Sequence, residues 1–222
     1  MELFDCMRTT FAAREFTGDP MPDEVLYAVL ENARFAPSGG NRQGNRVIVV
    51  RDPRTREALG RFAEPAAKRY AAQRAAGENP WNSIEPTRVS DATIAATEPP
   101  TSLVGTFVSA DVVLVFIVDL GVVASTDQYL ERVGVISGAS IYPFVWNVLL
   151  GLRNEGFGGT ITTLAAACEA DVQGLLDIPA RFALAAVVPA GKPVKQLTRL
   201  KRRSVEEIAV RERFGGVPFA AR

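Results

Sequence analysis

The sequence predicts helices covering a central sheet, the α/β or α+β class, and three observations carry that reading. Ala110 to Val118 is a β-branched run apolar on both faces, the pattern of a strand in the middle of a covered sheet. Ser137 to Asn154 sets Ile141, Phe144, Val145, Val148, Leu149 and Leu152 on a helical repeat with little polar surface left, so this helix is expected to be buried on most sides. Around them, helical segments alternate with few strands, without internal repeats or low-complexity stretches.

Taken in order, Leu3, Phe4 and Met7 give a short helix that stops before Arg8-Thr9-Thr10. A loop with Arg14 and Phe16 follows and closes at Asp19-Pro20-Met21-Pro22. Pro22 opens a second helix, with Asp23 and Glu24 favourable against its dipole and Val25, Leu26, Val29 and Ala33 as its apolar stripe, ending at Pro37. Val47 to Val50 is a short buried strand closed by Asp52-Pro53, and Arg54 to about Ala76 returns to helical composition. From Gly77 to about Pro100 the pattern dissolves around Trp81 and Asn82, a length of loop that is more often functional than structural. Pro143 demands either a first-turn position or a kink in the Ser137 to Asn154 helix. Gly156 to Gly159 is a turn leading into Thr160-Ile161-Thr162-Thr163, Cys168 to Leu176 a further helix, and Phe182 to Val188 the next strand. The tail from Ser204 begins helically at Val205-Glu206-Glu207-Ile208.

Composition narrows the chemistry. The 222 residues suit one large domain, and 25 basic against 25 acidic side chains leave no overall field for nucleic acid or an anionic membrane. Histidine is absent, which excludes Ser-His-Asp and Cys-His hydrolases, histidine-ligated haem and the usual zinc hydrolase sites. Cys6 and Cys168 stand far apart and in no metal-like spacing. The longest apolar runs fall short of the ~20 residues a membrane helix needs, and no signal sequence opens the chain, so a cytoplasmic location is expected.

Three donor-rich stretches could carry chemistry: Thr9 to Arg14, Pro37 to Gln43, and Lys201 to Arg203 within a run of six cations from Lys192 to Arg203 that contains no acid. Ala36 to Gln43 reads Ala-Pro-Ser-Gly-Gly-Asn-Arg-Gln, a turn whose glycines allow close backbone approach and whose Ser38, Asn41 and Gln43 add donors and acceptors. A phosphate joined to a flat polar ring would use such groups, with Arg14 and Arg202 as bidentate anion partners. Each stretch also has a plain structural reading: a helix-to-strand connection, a surface ion pair of Arg14 with Glu15 or Asp19, and a solvated basic tail. Gly156-Phe157-Gly158-Gly159 follows a helix and lacks the third glycine of a dinucleotide fingerprint, so a Rossmann site is rejected in favour of a helix C-cap at Gly156. Asp111 and Asp119 read as solvated strand ends.

The order of these blocks resembles the nitroreductase family of flavoproteins. The likeness runs through Arg14-Glu15-Phe16, Asp19-Pro20-Met21-Pro22 and Ala36 to Gln43, then Gly138-Ala139-Ser140-Ile141-Tyr142-Pro143 through Asn147 and Leu150 to Arg153 and Gly156, Gly158 and Gly159, and Lys201-Arg202-Arg203 before Val205-Glu206-Glu207. The resemblance implies an α+β fold with a central mixed sheet covered by helices, FMN held at a homodimer interface, and hydride passed from NADH or NADPH to nitroaromatics, quinones or related acceptors in a ping-pong cycle. It implies a single domain over 1–222, with a helical or lid excursion at about 63–109 and a C-terminal arm at 204–222. By position, Thr10, Phe11, Ala12 and Arg14 would lie along the ribityl phosphate and pyrimidine edge. Pro37, Ser38, Gly39 and Asn41 would meet the flavin, in one arrangement from the partner subunit; Gly159, Thr160, Ile161 and Thr162 would border the isoalloxazine; Arg202 would neutralise the phosphate. No amino-acid acid, base or nucleophile is implied, since the flavin carries the redox chemistry. The chain departs from the family where two basic residues and a serine are common, having Thr10, Phe11 and Ala12 there, and has Gly44-Asn45 for a frequent Pro-Trp and Leu200 for a frequent lysine. The rival readings are a flavin-storage or redox-silent module on the same scaffold and a flavoenzyme using another donor such as a deazaflavin.

Overall fold

The computed structural model describes residues 1–221. Its sheet has four strands, β1 (Asn45–Val50), β2 (Val112–Asp119), β3 (Gly158–Gly159) and β4 (Phe182–Gly191), in the order β1-β2-β4-β3. All eight residues of β2 are buried, as its two-faced apolar run requires. Alternate side chains serve opposite layers. Val113, Val115 and Ile117 pack with Leu59, Ala63, Phe107 and Val172 on one face, while Val112, Leu114 and Phe116 pack with Leu26, Val29, Val145, Val148 and Leu152 on the other. Each such buried side chain contributes about 1.5 to 3 kcal/mol.

The helices are α1 (Leu3–Thr9), α2 (Asp23–Ala33), α3 (Pro53–Ala75), α4 (Asp91–Ala96), α5 (Thr101–Val104), α6 (Thr106–Ser109), α7 (Tyr142–Asn154), α8 (Glu169–Leu175) and α9 (Val205–Ile208). In α7, Pro143 takes the first-turn position, so the helix needs no kink. Its far end closes as expected: Gly156 adopts φ 81°, and the Gly156 and Phe157 N–H groups donate to Arg153 and Leu152 carbonyls. α2 ends at Ala33, short of Pro37, because the Phe35 and Ala36 N–H groups reach back only to Asn32 and Ala33 and tighten the last turn.

Three expectations are corrected. The sheet is antiparallel throughout its four strands; its parallel element is one isolated bridge between Ala12 and Gly159, because β3 is only two residues long. Asp111 and Asp119 are not solvated strand ends. Asp111 accepts from Arg51 Nη1 (2.7 Å) and Met21 N (3.0 Å), which ties the start of α2 to β1 and β2, and the 7 % exposed Asp119 pairs with Arg181. The region after α3 is also ordered rather than patternless. It folds back on α3 through Glu78, whose carboxylate accepts from Thr87 Oγ1 (2.6 Å) and Arg88 N (2.8 Å). The helices that follow have only four to six residues, too few for an apolar stripe to repeat.

The connection from β2 to α7 is organised by Asp127, 3 % exposed, which accepts from Val135 N (2.7 Å), Arg132 Nη1 (2.9 Å), Ser125 Oγ (3.2 Å) and Ile136 N (3.3 Å). The Val135 N–H bond, with Arg132 and the others, holds its pKa down to about 2 against the burial that opposes ionisation. Because the folded pKa lies below the unfolded value of about 3.9, this stabilisation is complete above pH ~4 and is lost as pH falls toward the folded value. Asp127→Asn is therefore expected to lower the melting temperature at pH 7, with the gap from wild type narrowing steadily below pH ~4; a gap independent of pH from 7 to 2.5 would refute the assignment. At the sheet edge, a Cβ on Gly159 would sit 2.9 Å from Pro189 O and 3.0 Å from Val188 Cγ1. Gly159→Ala should cost about 1 to 3 kcal/mol, read as a melting temperature lowered by roughly 2–10 °C.

Candidate cofactor and acceptor site

Thr10 to Phe16 is strapped between two neighbouring segments. On one side Ala13 N donates to Gly159 O (3.1 Å); on the other Val194 N donates to Glu15 O (3.0 Å) and Gln196 Nε2 to Thr9 O (3.0 Å). Gly158 allows the first approach, since a Cβ there would lie 3.2 Å from Ala13 Cβ. Arg14 is left exposed at the junction. Among the described residues it forms no ion pair, and its shortest polar contact is Nη1 to Ala12 O at 3.5 Å; Asp19 pairs instead with Lys192 at 3.1 Å.

The Thr160 to Thr163 segment lies against β4 as an extended edge. Thr160 N donates to Pro189 O (3.3 Å), and Thr162 exchanges both bonds with Val187 (2.9 and 2.8 Å). Alternation then turns the Ile161 and Thr163 N–H groups away from β4, and neither has a partner among the described residues. Over this edge lies a cavity of about 280 Å³, floored by Thr160 to Leu164 and Arg14 and walled by Tyr70, Pro80, Trp81, Leu103 and Thr106. On the other flank of Arg14 a second hollow of about 320 Å³ is lined by Phe11 to Glu15, Ser102, Lys195 and Leu197. The structure thus brings Arg14, Thr160, Ile161 and Thr162 around one cavity, and Phe11, Ala12 and Arg14 around the next.

Other candidates stand elsewhere. The Thr10 hydroxyl is buried and donates to Cys6 O (2.8 Å), and Gly159 is enclosed by packing. The 37–43 turn has φ values of 60°, 52° and 50° at Gly40, Asn41 and Gln43. Four of its N–H groups are spent locally: Gly39 N on Ser140 Oγ (2.9 Å), Asn41 N on Ser38 O (2.9 Å), Arg42 N on Gly39 O (3.4 Å) and Gln43 N on Ser38 Oγ (3.0 Å). Ser38 faces a separate cleft of about 140 Å³ that includes Arg34, Asn45, Arg46 and Phe144, and within one chain it shares no described cavity with Arg14. Pro37 and Asn41 are exposed beside it. Arg202 is exposed, and its guanidinium donates from Nη1 to Lys201 O (2.7 Å).

Sequence reasoning missed the cavity wall. Tyr70, Trp81, Leu103 and Thr106 come from α3, the following loop, α5 and α6, and no spacing links them; the one available signal was a tryptophan next to Pro80 in a stretch otherwise poor in apolar residues. Among the described residues Arg14 is the only charged one lining that cavity, and none of them there is a carboxylate or a cysteine. Among the described residues no cluster of three or more metal-ligating side chains exists, and no helix is long and apolar enough to cross a membrane.

Comparison with known proteins concerns the chain as a whole. The chain is 48 % identical over 46 residues to an NADH dehydrogenase of Thermus thermophilus, a match covering 21 % of this chain and only 22 % of that protein. It is 24 % identical over 214 residues to the iodotyrosine deiodinase of Nematostella vectensis, covering 94 % of this chain and 74 % of the relative. The structure of the NADPH:FMN oxidoreductase of Vibrio harveyi complexed with NAD+ superposes with a TM-score of 0.67 at 18 % identity, over 95 % of this chain and 77 % of that one. The family model described as the nitroreductase family matches residues 7–192, and the chain belongs to that family.

Proposed function

We propose that this protein is an FMN-dependent oxidoreductase that works as a homodimer, taking hydride from NADH or NADPH and delivering it to nitroaromatic, quinone or related small acceptors. The observation that carries the reading is the conjunction, around one cavity, of the free Arg14 guanidinium and the two outward N–H groups of Ile161 and Thr163. These donors would suit the polar edge of an isoalloxazine, where Arg14 and the Ile161 and Thr163 N–H groups would hold its oxygens and nitrogens. Arg202 would meet the phosphate, as would the Phe11 and Ala12 stretch its ribityl chain. Family membership and the match to an NADPH:FMN oxidoreductase support the same cofactor.

When bound, FMN supplies the two-electron chemistry, accepting hydride from the nicotinamide and returning it to the acceptor. The chain's own part is to bind and orient. No residue is assigned as acid or base, since the flavin would carry the redox chemistry. A dimer is supported by the exposed apolar side chains Leu3, Phe4 and Met7 on α1 and Tyr142 and Trp146 on α7, and by the separation of the Ser38 turn from the Arg14 cleft, which a second copy would bridge. In that arrangement Pro37, Ser38, Gly39 and Asn41 serve the partner's flavin. The 77–106 segment acts as the lid over the acceptor.

The protein should purify yellow, or become so with added FMN, and its flavin band should bleach anaerobically with NADH or NADPH. A colourless protein that takes up no FMN refutes the reading, and bound flavin that neither nicotinamide reduces favours a storage role or another donor. Arg14→Ala and Arg202→Ala should each weaken FMN binding by about 1.5 to 3 kcal/mol, measured by fluorescence titration; unchanged affinity in both would show the two contacts to be misplaced.

A further inference from the structure

We propose that Lys195 is the principal cation of a phosphate-monoester site in the hollow of about 320 Å³ on the far flank of Arg14. The inference deepens the flavin reading and rests on it, since the phosphate that separates FMN from riboflavin is one source of that group. The extra phosphate that separates NADPH from NADH is the other.

The main chain fixes where Lys195 stands. Phe16 bridges Pro193 in antiparallel fashion, with Thr17 N donating to Lys192 O (2.9 Å) and Val194 N to Glu15 O (3.0 Å). Carried two positions along that register, Lys195 comes level with Arg14. Just beyond it, Gln196 Nε2 donates to Thr9 O (3.0 Å) and closes the strap. Lys195 is thus held from both sides against the Thr10 to Phe16 segment, and it lines the hollow together with Arg14. Of the six cations from Lys192 to Arg203 it is the one that lines a described cavity, and Lys192 is taken by Asp19 at 3.1 Å.

Like charges set level on paired segments repel, and among the described residues neither Lys195 nor Arg14 has a salt-bridge partner. Glu15 lines the hollow too, but it is exposed, and two cations against one acid leave the hollow positive. The other side chains on that wall offer an anion nothing. Phe11 and Ala12 carry no side-chain donor, while the Thr10 hydroxyl is spent on Cys6 O (2.8 Å) and the Thr9 hydroxyl on Asp5 O (2.6 Å). The Phe11 and Ala12 N–H groups have no partner among the described residues. A phosphate monoester, with several acceptor oxygens and up to two charges, suits an ammonium group beside main-chain donors, with Arg14 adding its charge from the shared wall.

The neighbouring cavity gives a reason for a phosphate to arrive here. Trp81, which walls it, is held by its N–H to Oε1 of the buried Gln73 (3.1 Å) and by its indole Nε1 to Ala66 O (3.4 Å). A fixed wall limits that cavity to about 280 Å³, so a molecule larger than its flat ring would extend past Arg14, which lines both spaces, into the hollow.

The test titrates the full-length protein by calorimetry with two ligand pairs that differ by one phosphate, FMN against riboflavin and NADPH against NADH. Lys195→Ala should cut the preference for the phosphorylated member of one pair about three- to tenfold and leave affinity for its unphosphorylated partner unchanged. A loss in the flavin pair assigns the hollow to the cofactor, a loss in the nucleotide pair assigns it to the donor, and either supports the site. Lys195→Arg should retain most of the preference. Because Lys195 is exposed and forms no ion pair, ligand-free Lys195→Ala should melt as wild type does. Arg199→Ala, which removes the same charge from the same tail outside the hollow, should leave both preferences intact. The proposal is overturned if Lys195→Ala changes neither preference, or if Arg199→Ala lowers one as much, which would reduce the effect to the overall charge of the tail. A protein that binds neither flavin would refute the cofactor reading; the nucleotide pair then decides the proposal, which falls if Lys195→Ala leaves the NADPH preference unchanged.

Discussion

Everything in this molecule is arranged around a strand that cannot tolerate water on either face. β2 is buried along its whole length, and a strand in that position needs a hydrogen-bonding neighbour on each edge and a helical layer on each side. β1 and β4 supply the edges, α2 and α7 one layer, α3, α6 and α8 the other. The site follows from this geometry. β4 carries the Thr160 to Thr163 edge at its margin, and α3, held on the face of the sheet, carries Tyr70 and the loop with Trp81 to the same margin.

The Ser38 turn and the Thr160 edge differ in what they have left to give. The Ser38 turn spends four of its N–H groups on its own carbonyls, on the Ser38 hydroxyl and on Ser140, so it is a pre-shaped surface rather than an open cradle. The Thr160 edge spends only alternate groups, because a single neighbouring strand can satisfy only the N–H groups that face it. That asymmetry makes the second the better candidate for direct contact with a ligand inside one chain.

Much of the fold was legible because it rests on local patterns. The β2 run, the α7 stripe with Pro143 in its first turn, and the glycine cap at Gly156 are each written within a dozen residues. The order of motifs was enough for the family. What escaped was non-local. Nothing near Asp111 announces Arg51, sixty positions away, and nothing near Asp127 marks it as the hub of its loop, because its shortest bond comes from a backbone N–H that any sequence supplies. The cavity wall escaped for the same reason: its members come from four separate segments, three of them too brief to show a period. Of the site, the floor was readable from Arg14 and the threonines, and the roof was not.

The bond from Trp81 to Gln73 also sets a gauge on the chain. Only eight positions separate the two, and the intervening segment must leave α3, reverse at Gly77 and return at a fixed height for the indole to be gripped. An extra residue on this short path would lift the ring off its support, whereas lengthening the stretch around Ser83 to Pro86 would leave the grip intact. Diversification of this region can thus proceed freely beyond the tryptophan while the aromatic platform stays where α3 holds it.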